Sequence, residues 1–94
     1  GINESSIADK ILLYPNPNTG EFIIEFLNPD NYRDLDVEIK LINTIGQEIY
    51  SEKLNNIYGS FRKQIDLSKY AKGFYYVKIK TMEGVLTKKI VVMR

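Results

Sequence analysis

The chain has 94 residues, 44% hydrophobic and 27% charged, which fits one small globular domain and excludes a disordered tail or a pair of full-sized domains. It contains no cysteine and no histidine, which removes disulfides, thiolate metal sites, the commonest metal ligand and the usual general base near neutral pH. Thirteen basic against twelve acidic side chains leave a net charge of +1, too balanced for a nucleic-acid or membrane-surface binder.

The charge is unevenly spread. Residues 21–38 carry Glu21, Glu25, Asp30, Asp34, Asp36 and Glu38 against Arg33, whereas residues 78–94 carry Lys78, Lys80, Lys88, Lys89 and Arg94 against Glu83. No apolar run is long enough for a helix to span a bilayer, which takes about 18 residues or more. The first residue is Gly and no charged-then-apolar leader follows it, so the chain reads as a piece of a longer product, with any export leader upstream.

Residues Gly1 to Asp9 are polar and read as a linker or frayed start, with the folded domain spanning 10–94. Ile11, Leu12, Leu13 and Tyr14 form an apolar run that suits a short strand covered on both faces. Pro15 and Pro17 then lack amide hydrogens and push Tyr14 and Asn16 toward extended torsions, so the strand cannot continue. Asn18, Thr19 and Gly20 offer a turn, and Phe22, Ile24 and Phe26 share one face of a strand from Glu21 to Leu27.

Asn28 to Asp34 is a loop by composition. Val37, Ile39 and Leu41 alternate with Asp36, Glu38 and Lys40, the pattern of a half-buried strand. Asn43-Thr44-Ile45-Gly46 has the chemistry of a type I turn closed by a left-handed glycine, so Gln47 to Leu54 returns antiparallel. Asn55 to Ser60 reads as another turn, and Phe61, Lys63 and Ile65 alternate along the next strand.

Asp66 to Gly73 is the one candidate helical turn, with Ser68 as its cap. Tyr75, Val77 and Ile79 then face a core, and Thr81-Met82-Glu83-Gly84 repeats the hairpin chemistry before a final strand from Val85 to Met93. Seven short strands without a useful helix predict an all-β fold, an immunoglobulin-like antiparallel β-sandwich, with a closed barrel as the alternative.

The proline pair has two readings. It blunts a sheet edge against association, or it presents a stiff corner whose ordering cost on binding is small. Lys88 and Lys89 are adjacent on a strand and point to opposite faces, either as gatekeepers against aggregation or as a charge-steered docking point.

Four segments, "YPNPNTGEF", "INTIGQEIY", "IDLSKYAKGFYYVKI" and "GVLTKKIVVMR", stand in an order that resembles the type A C-terminal sorting domain of proteins exported by the type IX, or Por, secretion system of the Bacteroidota. The resemblance covers residues 11–94. It implies a sandwich that ends its parent protein, directs it across the outer membrane, and is then usually cut off at the cell surface by a sortase-like peptidase. The domain would be substrate and not enzyme, exported through the periplasm to the surface, with the translocon and that peptidase as partners. It would take no cofactor and no small-molecule substrate. The family's Pro-x-Pro-x-x-Gly element falls on Pro15, Pro17 and Gly20, with Asn16 between the prolines. Its middle glycine falls on Gly46, its Gly-x-Tyr element on Gly73 and Tyr75, and its basic-then-apolar end on Lys88, Lys89, Ile90, Val91 and Val92. Cleavage would lie at or upstream of residues 1–9.

Other signals are weaker. The run Lys72 to Ile79 superficially matches the aromatic strand of an RNA-recognition domain, but the two helices which that fold needs are missing. Asp30, Asp34 and Asp36 lack the spacing of a calcium loop, and no carboxylate pair suits a hydrolase. The alternative function is an adhesive or carbohydrate-binding sandwich using Tyr32, Tyr58, Phe61 or Tyr76, provided these rings share one flat face.

Overall fold

Period-two alternation decides the architecture, because each strand then has one face that must be covered. The computed structural model describes residues 10–27 and 35–93. Seven strands run in order: β1 (Ile11–Tyr14), β2 (Glu21–Phe26), β3 (Leu35–Asn43), β4 (Glu48–Ile57), β5 (Phe61–Asp66), β6 (Gly73–Thr81) and β7 (Gly84–Val92). They form a three-stranded sheet, β1-β2-β5, and a four-stranded sheet, β4-β3-β6-β7, with every strand pair antiparallel. This is the expected β-sandwich, and the barrel alternative falls because neither sheet closes.

The alternating residues meet between the sheets. Phe22, Ile24 and Phe26 of β2 and Ile65 of β5 face Val37, Ile39 and Leu41 of β3, Val77 and Ile79 of β6, and Leu86 and Ile90 of β7; all are buried. Each such side chain contributes about 1.5–3 kcal/mol through its removal from water. At the margin of the core Phe26 and Phe61, opposite each other on β2 and β5, stack with centroids 4.5 Å apart and planes 2° from parallel.

Three expectations need correction. Leu12 is 47% exposed, because β1 edges a sheet whose outer face no described element covers. The turn expected at Asn55–Ser60 begins later: β4 runs on to Ile57 through a bulge at which its register with β3 shifts between Leu35/Ile57 and Val37/Leu54. The extra residue is absorbed by Asn56, which takes φ 57°, a conformation that Asn tolerates, while its N–H donates to Asp36 Oδ1 at 3.0 Å.

The third correction is the helical turn. Residues 67–72 form no helix, only a tight turn in which Tyr70 N–H donates to Leu67 O at 3.0 Å. The cap is Asp66, not Ser68: Asp66 Oδ1 accepts from Ser68 N–H at 2.8 Å, the geometry of an Asx turn. The linker at 1–9, the loop at 28–34 with Asp30, Tyr32 and Asp34, and Arg94 lie outside the described residues.

Candidate recognition pole

Strict alternation of strand direction gathers the expected site residues at one end of the sandwich. The odd-numbered strands end there and the even-numbered strands begin there, so the pole carries the proline corner (15–20), the β3–β4 turn (44–47), the 67–72 turn and the end of β7.

The corner is tied to β7. Asn16 donates from Nδ2 to Lys89 O at 2.9 Å and accepts at Oδ1 from Val91 N–H at 3.0 Å. Asn18 adds two backbone bonds, its N–H donating to Val91 O at 2.9 Å and its carbonyl accepting from Met93 N–H at 2.7 Å, a short parallel bridge. Pro15, Asn16 and Pro17 are exposed, and the Tyr14–Pro15 and Asn16–Pro17 peptides are both cis. Asn18 is buried, and its Oδ1 accepts from Gly20 N–H at 2.9 Å while its Nδ2 donates to Pro15 O at 3.3 Å. Leu67 N–H donates to Gly20 O at 2.6 Å, so the corner also holds the 67–72 turn.

The other expected residues divide by exposure. Gly73 lies opposite Val92 and Tyr75 opposite Ile90 in the β6–β7 ladder. Tyr75, Ile90 and Val92 are buried, so they hold the pole in place and do not offer side chains to a partner. The Tyr75 hydroxyl donates to Ala71 O, four residues upstream, as in the tyrosine corner of immunoglobulin-like sandwiches.

Gly46 lies apart from the proline corner, on the β3–β4 turn. That turn is held by Asn43, whose Oδ1 accepts from the N–H groups of Ile45 and Gln47 at 3.1 and 2.9 Å. Thr44 and Ile45 of this turn and Gly73, Phe74 and Tyr75 of β6 line a shallow depression of about 250 Å³.

Lys88 and Lys89 do point oppositely. Lys89 leaves the outer face and sets its ammonium 4.1 Å from the centroid of the Phe74 ring, a cation–π contact. Lys88 lies opposite Val77 on the core side, yet is exposed because β7 is the edge strand and its charge escapes sideways. An inward-pointing charge on an edge is a known guard against strand addition.

Sequence reasoning missed Asn18 and Asn43 as the organisers of the two turns. The Asn-x-Gly and Asn-x-x-Gly spacings were the available signal.

Carboxylates on β2 and β4 are paired locally. Glu52 accepts from the Tyr50 hydroxyl and pairs with Lys63 at 2.9 Å, bridging β4 to β5. These two contacts hold its carboxyl below the usual range, while burial and the same hydrogen bond push Tyr50 up to about 12. Glu25 accepts from the Tyr14 hydroxyl at 2.7 Å, a hydrogen bond that raises the Tyr14 pKa.

The aromatic face needed by an adhesive module does not form among the described residues. Tyr58 lies at the opposite pole, Phe61 stacks on Phe26, and Tyr76 faces outward from β6. Among the described residues no group of acidic side chains could hold a metal ion, and no helix is long and apolar enough to cross a membrane.

A search of curated proteins found no match. The family profile described as the secretion system C-terminal sorting domain matches residues 12–93, from the first strand to the residue after β7. A profile of that extent, over a sandwich whose Pro-x-Pro-x-x-Gly corner grips the terminal strand, establishes that the chain belongs to the family of C-terminal sorting domains that direct proteins through the type IX secretion system.

Proposed function

We propose that the pole is the surface the secretion machinery reads, and that the domain serves as a folded, non-catalytic address. The observation that carries this reading is the bond set joining Asn16 and Asn18 to Lys89, Val91 and Met93. It makes the two ends of the domain one rigid feature, and a preorganised feature loses little entropy on binding. Pro15, Asn16, Pro17 and the outward side chains of Lys89 and Val91 supply the exposed part; Gly20, Gly46 and Gly73 shape its turns; Tyr75, Ile90 and Val92 fix it from beneath. Lys88 marks its edge.

On this reading the cargo passes through the periplasm, and a sortase-like peptidase at the surface cuts within or before residues 1–9, which act as linker to a domain at 10–94. The absence of histidine and cysteine from the chain supports a substrate role over a catalytic one.

The test fuses residues 1–94 behind a fluorescent protein with an export leader, in a host that has this machinery. Removing residues 85–94 also removes a core strand, so Lys89→Gln with Val91→Ser, both on the outer face, forms the informative comparison. Surface fluorescence should fall several-fold for the pair; delivery equal to the unaltered fusion would refute the proposal.

A further inference from the structure

The outer face of the four-stranded sheet is ordered in rows. Phe74 stands beside Val91; Ile42, Tyr76 and Lys89 form the next row; then Lys40, Lys78 and Thr87; then Glu38, Lys80 and Val85. Alternate residues on a strand are about 7 Å apart, so Phe74, Tyr76, Lys78 and Lys80 make one continuous line down β6, aromatic near the pole and basic beyond it.

Among the described residues, cations with a carboxylate partner and cations without one both occur, and the line down β6 carries the second kind. Lys10, Lys53, Arg62 and Lys63 each have a carboxylate within 4 Å, and Lys40 lies between Glu38 and Glu48 at 3.5 and 3.4 Å. Among the described residues Lys78, Lys80 and Lys89 have no such ion pair, as is true also of Lys69, Lys72 and Lys88, but only the first three share a face with exposed aromatic rings. Glu38, directly across from Lys80, directs its carboxylate to Lys40 and Lys53. Beside these ammonium groups Phe74 and Tyr76 remain 48% and 39% exposed.

We propose that this flank is a docking surface for the acidic face of a protein partner, continuous with the pole at Phe74 and extending down β6 to Lys80. Half-exposed aromatics beside unpaired cations suit a protein interface, in which rings anchor and charges steer. Three cations fall short of the roughly four to eight by which anionic lipid surfaces are recognised. A second copy is a poor occupant, because the carboxylates on its opposite flank are engaged: Glu25 with Tyr14 and Arg62, Glu21 with Gln64. The partner's being met during export rests on the sorting role, but the surface itself does not.

The test is a titration of isotope-labelled chain with octaglutamate, followed by backbone amide shifts at low salt and at about 0.5 M salt. Shifts should concentrate at residues 74, 76, 78, 80 and 89, vanish in high salt, and require roughly fivefold more peptide in Lys78→Gln/Lys80→Gln. Lys78→Glu, which sets a carboxylate opposite Lys40 and so keeps the fold, should abolish them. Shifts spread evenly over Lys10, Lys53 and Lys63, or an undiminished response in the variants, would overturn the proposal. So would tighter binding to phosphatidylglycerol vesicles, or self-association abolished by Lys78→Glu. Failure of the unaltered fusion to reach the cell surface counts against the address reading alone, since the titration decides the flank without it.

Discussion

Asn16 treats Val91 as a neighbouring strand would, its side-chain amide standing in for a peptide: Oδ1 accepts from Val91 N–H at 3.0 Å while Nδ2 donates to Lys89 O at 2.9 Å. The polar edge of β7 is thereby closed over its last residues by a segment that cannot itself extend as a strand, since prolines flank Asn16. Blunting an edge and presenting a stiff corner, two separate readings of the prolines, are here the same arrangement.

Asn16→Ala removes both bonds and should cost about 1–2 kcal/mol, lowering the melting temperature by roughly 4–16 °C for a domain of this size. Amide exchange at Val91 should accelerate while exchange at Ile39, in the central strand β3, follows only the global change. Unaltered protection of Val91 would show that the amide does not hold the edge.

Gly46 and Gly73 separate two kinds of backbone demand. A Cβ at either position meets nothing within 4 Å, so the cost of substitution is conformational. Gly46, at φ +86°, lies near the left-handed region that Asn visits, so Gly46→Asn should recover much of the roughly 1–2 kcal/mol lost in Gly46→Ala. Gly73, at φ +139°, lies beyond it, and Gly73→Asn should be as damaging as Gly73→Ala, about 1–3 kcal/mol each. Urea midpoints of the four variants check this; rescue by Asn at both sites would contradict it.

The Tyr50–Glu52–Lys63 bridge gives stability a pH dependence at both extremes. Glu52 has a folded pKa below its unfolded value, so its contribution is present above the unfolded pKa and is lost as acid protonates it in the folded state. Tyr50 has its pKa raised from 10.0 to about 12, so the folded state keeps a proton that the unfolded chain releases, and stability falls as pH rises through that interval. Glu52→Gln should therefore destabilise at neutral pH and much less near pH 3, and Tyr50→Phe should flatten the alkaline limb. Chemical denaturation across pH measures both.

Lys88→Val would make the core side of β7 apolar without interruption from Leu86 to Val92. The folded monomer should tolerate the change or gain slightly, whereas the exposed edge loses its guard, so concentration-dependent association in light scattering should rise. A variant that stays monomeric at high concentration would assign Lys88 no protective role.

The local features were legible because their causes are local. Alternation at Phe22, Ile24 and Phe26, at Val37, Ile39 and Leu41, and at Tyr75, Val77 and Ile79 specified the strands and their buried faces, and all nine side chains are buried. The hairpin at Asn43–Gly46 followed from turn chemistry, and its Gly46 does take positive φ. Errors arose where a polar segment had a tertiary partner: Asn55 and Asn56 read as a turn, but Asp36 on the neighbouring strand keeps them in β4.

Strand order is what the sequence left open, and the pole depends on it. Asn16 lies 75 positions from Val91, and nothing in either segment's composition names the other. Only the placement of β1 at the edge of one sheet and β7 at the edge of the other brings the corner over β7, lets the core-side Lys88 reach solvent at the margin and lays Lys89 on Phe74. Hydrophobic alternation fixes which side of a strand is buried; long-range pairing fixes which backbone edges remain to be closed, and so which residues can meet.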